Sequence, residues 1–240
     1  MDERVGALRA PRIQVASTED VAAALDGSGP GRERTVIVLV GGAGGLGEEM
    51  LAALADVLRD EVVPVAEQRK AVVVDGGTDS GVMRLIGRAR AAAGGGFPLV
   101  GVAAEGTVVA PEARTSAPDA AALEPNHTLF LLVPGANWGD ETAWIAEVAG
   151  VVAGDRPSVT LLVNGGPIAY DDVDASLTAR RRVVVLAGSG RAADAIADVR
   201  AGRGGDDRAA AIAASPLTSV AHIGRPGAVA AAIEAALEAP

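Results

Sequence analysis

The sequence contains no cysteine, only two histidines and very few aromatic residues. The absence of cysteine excludes disulfide scaffolds, thiolate metal sites and cysteine nucleophiles. Two histidines also disfavour a catalytic zinc site, which would have to rely on carboxylates. Because aromatic residues make up only 2% of the chain, the core must be built from Ala, Val, Leu and Ile.

Positive charge and long apolar runs are scarce as well. Lys and Arg together number 21 against 31 Asp and Glu, so the net charge is −10 at pH 7. A nucleic-acid binder normally carries a basic surface, so we expect no nucleic-acid partner. No run approaches the length of a membrane span, and Met1 is followed by Asp, Glu and Arg rather than by a signal peptide. We therefore expect a cytoplasmic protein that is not inserted in a membrane.

The remaining composition is that of a globular protein, with 49% hydrophobic and 22% charged residues in a chain of 240. Apolar β-branched runs alternate with helical patterns, which favours one α/β domain over residues 1–240, with a mostly parallel sheet covered by helices on both faces. The residues 104–123 show no period and are predicted to form a long loop. The N-terminal piece Arg12–Val15 is short and partly apolar. Strands are predicted at Thr35–Val40, Ala71–Asp75, Leu99–Ala103, Leu129–Val133, Val159–Asn164, Val183–Leu186 and Ser219–Ile223. Helices are predicted at Val21–Leu25, Glu48–Leu58, Val82–Ala93, Glu141–Val152, Asp171–Arg180, Arg191–Val199 and Ala228–Leu237.

Four glycine-rich segments follow predicted strands, at the edge of the sheet where such folds bind ligands. They are Gly41–Gly47, Gly76–Gly81, Asn164–Gly166 and Gly188–Arg191. The first contains the spacing of a dinucleotide-binding loop, but the acidic residue that normally comes about 20 residues later is not clearly matched. Glycines let a phosphate approach the backbone closely, although tight turns alone are the alternative explanation for each cluster.

The segment Gly188–Arg191 is the strongest candidate for an anion site. Its amides and the Ser189 hydroxyl could hold a phosphate, and the Arg191 guanidinium suits phosphate or pyrophosphate. The alternative for Arg191 is an ion pair with Asp194 on the same helix. Ser189 is disfavoured as a nucleophile because no triad accompanies it.

Two residues outside the glycine clusters are also of interest. Trp138 lies between a strand and a helix, where it could stack on a nucleobase. His127 is expected to be a hydrogen-bonded structural residue, and Trp144 a core residue. Asp140 and Glu141 suit the N-terminus of a helix.

The segments GGAGGLG, VVVDGGTDSGVMRLIGRAR, LEPNHTLFLLVPG, LLVNGGP and VVVLAGSGRAADAIA resemble the SLOG domain of melastatin-type TRP channels. They are most similar to its prokaryotic, channel-free counterparts, the LSDAT group. The resemblance implies a Rossmann-like fold and a nucleotide-derived ligand such as ADP-ribose or an NAD-like molecule; no other cofactor is expected. A composition rich in Ala, Arg and Gly and almost without Lys indicates a bacterial protein. A homo-oligomer and an effector or channel partner are possible. The resulting candidate ligand-binding residues are Gly42, Ala43, Gly44, Gly77, Thr78, Ser80, Gly81, Asn126, Trp138, Gly165, Gly166, Gly188, Ser189, Gly190 and Arg191.

Two departures from related patterns bear on function. Channel members carry an arginine on the helix after the aromatic residue, whereas the positions around Ile145 are apolar here. The lonely-guy hydrolases, which the resemblance implies are distant relatives, carry P-G-G-x-G-T-x-x-E. This chain has Asn164-Gly165-Gly166-Pro167 with no following Gly-Thr and no positioned Glu. That departure argues against the same N-glycosidic cleavage.

Three functions remain open at this point. The first is a module that binds or senses a nucleotide-derived ligand and passes its occupancy to a partner. The second is a nucleotide-processing enzyme that cleaves an N-glycosidic or phosphate bond with a general acid or base. Its candidate acids are Asp75, Glu105, Asp140 and Glu141. The third is an oligomeric scaffold without a ligand.

Overall fold

The computed structural model describes residues 10–42, 44–109 and 119–239. Its strands are β1 (Arg12–Gln14), β2 (Val36–Gly41), β3 (Val72–Asp75), β4 (Leu99–Ala104), β5 (Val108–Val109), β6 (Ala121–Ala122), β7 (Leu129–Val133), β8 (Ser158–Val163), β9 (Arg182–Ala187) and β10 (Thr218–His222). Its α-helices are α1 (Thr18–Ser28), α2 (Glu48–Val57), α3 (Val63–Gln68), α4 (Gly81–Ala92), α5 (Thr142–Ala153), α6 (Pro167–Thr178), α7 (Arg191–Arg200), α8 (Asp207–Ala214) and α9 (Ala228–Glu238).

Eight of these strands form one parallel sheet in the order β1-β7-β4-β3-β2-β8-β9-β10. The six strands from β4 to β10 follow the order 3-2-1-4-5-6 of doubly wound nucleotide-binding folds, and β7 and β1 extend the sheet beyond β4. The fold is therefore Rossmann-like, as predicted. The chain reverses its direction across the sheet between β2 and β8, which pair from Val36 with Ser158 to Gly41 with Val163.

The sheet is buried on both faces because successive side chains of each strand point to opposite sides. In β2, Val36, Val38 and Val40 pack with α1, α5, α6, α7 and α8 in one core. Ile37 and Leu39 pack with α2, α3, α4 and α9 in a second core on the other face. A strand whose side chains are apolar on both faces needs a core on each side of the sheet. The two cores confirm the prediction that helices cover both faces.

Three predicted boundaries are wrong for local reasons. Helix α6 begins at Pro167 rather than at Asp171, because proline is favoured in the first turn of a helix after the N-cap Gly166. Helix α1 continues to Ser28, where Gly29 ends it in the left-handed conformation. The chain after α2 stays helical through a π-helical turn, Leu58–Val62, into α3.

The predicted long loop is only partly described. Within residues 104–123 the structure places a short helical turn, Glu105–Thr107, and pairs β5 with β6. In the described ranges no helix is both long and apolar enough to cross a lipid bilayer. The expectation of a single domain over residues 1–240 stays a prediction.

Candidate functional site

A cavity of about 420 Å³ opens at the carboxyl ends of β2, β3 and β8. This position is the point where the strand order reverses, which is where doubly wound sheets bind their ligands. The volume lies within the usual range for small-molecule sites. The cavity is lined by Leu39, Val40, Gly41, Gly42, Gly76, Thr78, Ser80, Met83, Asp119, Ala121, Trp138, Glu141, Ile145, Gly166, Pro167, Ile168, Ala169, Asp172 and Arg191.

Asn164 joins three of the glycine segments at this edge. Its side-chain amide donates to the carbonyl oxygens of Gly42 and Gly44, at 3.2 and 3.0 Å. Its backbone N–H donates to the Ser189 hydroxyl at 2.7 Å. Asn164 is buried and has φ +56°, a conformation that asparagine tolerates better than most residues. Sequence reasoning placed this residue in a glycine cluster but missed that it positions the other two loops.

Arg191 begins α7 and reaches across the cavity edge toward the first glycine segment. Its Nη1 donates to the carbonyl oxygen of Gly44 at 3.3 Å. The alternative ion pair with Asp194 is wrong, because that carboxylate accepts from the Gly188 N–H at 2.6 Å. A Cβ at Gly166 would lie 3.0 Å from the Arg191 Nη2, so the guanidinium rests directly against the third glycine segment.

The other residues of the segment Gly188–Arg191 make their contacts with the protein and do not line the cavity. The Ser189 hydroxyl is buried, accepts from Asn164 and donates to the Leu186 carbonyl at 2.6 Å. Gly190 has φ +101° and packs against the Asn164 side chain. Gly188, Ser189 and Gly190 are not among the residues that line the cavity. Their observed role is to hold the loop from which Arg191 extends.

The second glycine segment contributes two hydroxyl groups to the cavity. Thr78 is buried, and its Oγ1 has no hydrogen-bond partner in the part of the chain that the structure describes. Ser80 is the N-cap of α4, yet its side chain makes no capping hydrogen bond. Gly77 and Gly81 do not line the cavity; both have positive φ, and Gly77 packs tightly on Gly101.

Trp138 lies at the mouth of the cavity, where 36% of it is exposed. Its indole Nε1 donates to Asp119 Oδ2 at 2.8 Å, so one edge of the ring is held. Trp144, by contrast, packs against the core, as predicted.

Three carboxylates line the cavity: Asp119, which accepts from the Trp138 indole, and Glu141 and Asp172. Asp172 Oδ1 accepts from the Thr142 hydroxyl at 2.6 Å, which ties α6 to the start of α5. Burial, together with the negative charges of Glu141 and Asp171, raises the pKa of Asp172 to about 7, although the hydrogen bond from Thr142 acts to lower it. Burial also raises the pKa of Glu141. Glu141 and Asp172 therefore form an acidic wall of the cavity.

As expected from the sequence, no glutamate follows the third glycine segment at the lonely-guy spacing, but an aspartate does, and it lines the cavity. Asp172 follows Gly166 by six residues, which is the interval between the second glycine and the glutamate of P-G-G-x-G-T-x-x-E. The Gly-Thr pair of that pattern is replaced by Ile168-Ala169. A search that kept only the spacing of the lonely-guy pattern, and not its Gly-Thr pair, would have found this carboxylate.

The sequence model of the family described as "SLOG in TRPM, prokaryote" matches residues 34–231. The chain belongs to this family. The match begins just before β2 and ends within α9, so β1 and α1 lie outside it. The glycine segments, Asn164, Asp172 and Arg191 all lie inside it.

A solved structure supports the fold of this SLOG domain independently. The X-ray structure of TM1055, a structural-genomics target, matches with a TM-score of 0.54 at 18% sequence identity. The match covers 84% of this chain and 99% of that one. At this level of identity the likeness establishes the architecture alone.

Several candidate residues of this SLOG domain lie elsewhere. Asn126 precedes β7 and donates to Glu124 rather than lining the cavity. Gly44 and Gly165 lie beside the cavity residues but do not line it, and Ala43 lies outside the described residues. Of the acids considered at first, only Glu141 lines the cavity. Asp75 and Glu105 do not, and Asp140 accepts from the backbone N–H groups of residues 136 and 137.

His127 is the structural residue that the sequence predicted. It is buried, with Nε2 at 2.8 Å from Asp75 Oδ1 and Nδ1 at 2.9 Å from Glu124 Oε2. Burial opposes its positive charge, but the two carboxylates outweigh burial and raise the pKa of His127 to about 9. Asp75 Oδ1 also accepts from the Gly77 N–H at 2.7 Å, so this cluster supports the second glycine segment from behind.

Proposed function

We propose that this SLOG domain binds a nucleotide-derived ligand, of the ADP-ribose or NAD type, in the cavity between β2 and β8. One observation carries the proposal. The Arg191 guanidinium lies at the point of strand reversal, between two glycine segments, and the described residues provide it no carboxylate partner. A guanidinium with open donors at such a position suits a phosphate or pyrophosphate.

The backbone around Arg191 favours the same ligand chemistry. Helices α6 and α7 both begin here, and their N-caps are Gly166 and Gly190, without a side-chain capping bond. Their first N–H groups and the positive ends of their dipoles add to the attraction for an anion. Gly42 and Gly166 line the cavity, and glycine allows phosphate oxygens to approach the chain closely.

The rest of the cavity suits the sugar and base of such a ligand. The Thr78 hydroxyl is buried without a partner among the described residues, so a ligand hydroxyl could complete its hydrogen bonding. The indole of Trp138 offers a flat surface at the mouth, on which a base could stack. Transmission of ligand occupancy to an effector is part of the sensing hypothesis and depends on a partner still to be found.

The test is calorimetric titration of the parent and of Arg191→Ala with ADP-ribose, NAD⁺ and AMP. We expect the substitution to weaken binding by about 10- to 100-fold, the range for a hydrogen bond to a charged group. Arg203→Ala is the matched control, because Arg203 pairs with Asp198 on the surface. Equal affinity of the Arg191 variant and the parent would show that the phosphate binds elsewhere.

A second candidate function, N-glycosidic hydrolysis, is favoured by Asp172. A carboxyl group with a pKa of about 7 in the cavity is suited to general acid or base catalysis. Chromatography of NAD⁺ and nucleoside monophosphates after incubation would detect a released base. We expect Asp172→Asn to abolish any such release and Asp174→Asn, an exposed residue of the same helix paired with Arg208, to retain it. Absence of product from the parent would remove this candidate.

A further inference from the structure

The charges in the cavity are separated along α6. Arg191 rests against Gly166, at the start of this helix, whereas Asp172 lies on the same helix further from that end. Six residues of α-helix correspond to about 9 Å along the axis. The anion-binding end and the acidic wall are therefore distinct parts of one cavity, and a ligand that spans them meets both.

The acidic wall lacks a positive partner in the described ranges of the chain. Glu141 Oε2 accepts from the Gly139 N–H at 3.0 Å, and Asp172 accepts from the Thr142 hydroxyl. No arginine or lysine of the described residues lies within ion-pair distance of either carboxylate. Two half-buried carboxylates in one cavity repel each other and lose hydration, so a bound positive charge would relieve both costs.

Two further observations indicate that this wall faces a ligand. Trp138 precedes Glu141 by three residues and lines the same cavity, and the faces of indole rings attract cations. Thr78, on the opposite glycine segment, presents a buried hydroxyl that has no partner among the described residues. The cavity thus holds an open hydrogen-bonding group, an aromatic face and three carboxylates, of which Asp119 accepts from the Trp138 indole.

We infer that Glu141, Asp172 and Trp138 select a nucleotide whose base end carries a permanent positive charge, the class of the oxidised pyridine nucleotides. This inference rests on the proposed function, because the phosphates are held at Arg191. The pyridinium ring of NAD⁺ is cationic, whereas the dihydropyridine ring of NADH is neutral and ADP-ribose lacks the ring. The three ligands share the pyrophosphate and differ at the end that meets the acidic wall.

The experiment is calorimetric titration of the full chain with NAD⁺, NADH and ADP-ribose at one pH and salt concentration. Carba-NAD⁺, in which a methylene group replaces the ring oxygen of the nicotinamide ribose, serves as a cationic ligand that resists cleavage. We expect NAD⁺ and carba-NAD⁺ to bind at least tenfold more tightly than NADH or ADP-ribose. The double variant Glu141→Gln, Asp172→Asn should reduce this ratio to near one while it still binds ADP-ribose.

The outcomes separate this inference from the proposal on which it rests. Equal affinity for NAD⁺ and NADH in the parent, or an unchanged ratio in the double variant, overturns the selection and leaves nucleotide binding intact. Binding of none of the four ligands overturns the proposed function and the inference with it. Asp174→Asn is the matched control, because it removes an exposed charge of α6 that pairs with Arg208 outside the cavity and should leave the ratio unchanged.

Discussion

At the scale of single residues, the proposed binding site depends on polar groups that have no hydrogen-bond partner among the described residues. Most buried polar atoms are hydrogen-bonded within a protein, since an unpaired buried hydroxyl costs free energy. Thr78 departs from this rule in the cavity wall, whereas the Ser189 hydroxyl obeys it completely. The contrast distinguishes a residue that can receive a ligand from one that supports the loop.

Thr78→Val tests this distinction, because valine keeps the shape of threonine and removes the hydroxyl. We expect the free energy of unfolding without ligand to stay equal or to rise slightly, since a buried unpaired hydroxyl is lost. Ligand affinity should fall by about 2- to 10-fold, the value of one neutral hydrogen bond. Urea unfolding and calorimetry measure the two effects.

Thr128→Val is the matched control for that substitution. Its hydroxyl donates to the Leu99 carbonyl and accepts from the Leu99 N–H, both at 3.0 Å. Its removal should therefore lower the free energy of unfolding by about 1 kcal/mol and leave ligand affinity unchanged. If both variants showed the same pattern, Thr78 would be an ordinary structural residue.

At the scale of elements, the π-helical turn Leu58–Val62 connects two helices and also supports a third. It contains the buried Glu61, whose carboxylate accepts from the N–H groups of Gly227, Val229 and Ala230 at 2.8–3.1 Å. These groups lie at the N-terminus of α9, where a negative charge is favourable. Glu61, which precedes Gly227 by 166 residues, thus caps the N-terminus of α9.

We expect Glu61→Ala to lower the free energy of unfolding by about 2 kcal/mol. The substitution leaves the N-terminal N–H groups of α9 without their acceptor, and caps of this kind are worth about 0.5–2 kcal/mol, with more for a charged acceptor. Glu61→Gln should lie between the variant and the parent. An unfolding midpoint of Glu61→Ala equal to that of the exposed control Glu49→Ala would contradict this role.

At the scale of the whole molecule, the cluster of His127, Asp75 and Glu124 links distant segments. Glu124 packs against Gly87 of α4, where an added Cβ would clash with its carboxylate, and Asp75 ends β3. The imidazole is charged between two carboxylates in the folded protein and loses both on unfolding. Its protonation is therefore coupled to global stability.

The sign of the resulting pH dependence follows from the raised pKa. The pKa of His127 is about 9 in the folded protein against 6.5 ordinarily, so the folded state retains its proton longer. The stabilisation is complete below pH 6.5 and is lost as pH rises through about 9. Urea unfolding of the parent should show a falling free energy of unfolding between pH 6.5 and 9, and His127→Gln should lack this fall. Parallel pH profiles would contradict the charged state.

Much of this architecture could be predicted because the determining signals are local. Strands β2, β3, β8 and β9 are mostly apolar on both faces, and a glycine ends each one or follows within two residues, so a parallel sheet with helices on both faces follows from burial. The GSGRAAD segment likewise made Arg191 a candidate, since glycine and arginine at the start of a helix suit an anion, and Arg191 does line the cavity.

Only the tertiary structure decided which of the candidate residues share one site. The sequence by itself determined the fold class and the position of the glycine segments, because hydrophobic periodicity and backbone freedom act over neighbouring residues. It could not place Asp172 in the cavity, Ser189 outside it or Asn126 beyond reach, because these outcomes depend on strand order and helix packing. The acidic wall exists because the order of strands brings the start of α5 against α6, residues separated by a whole strand in the chain.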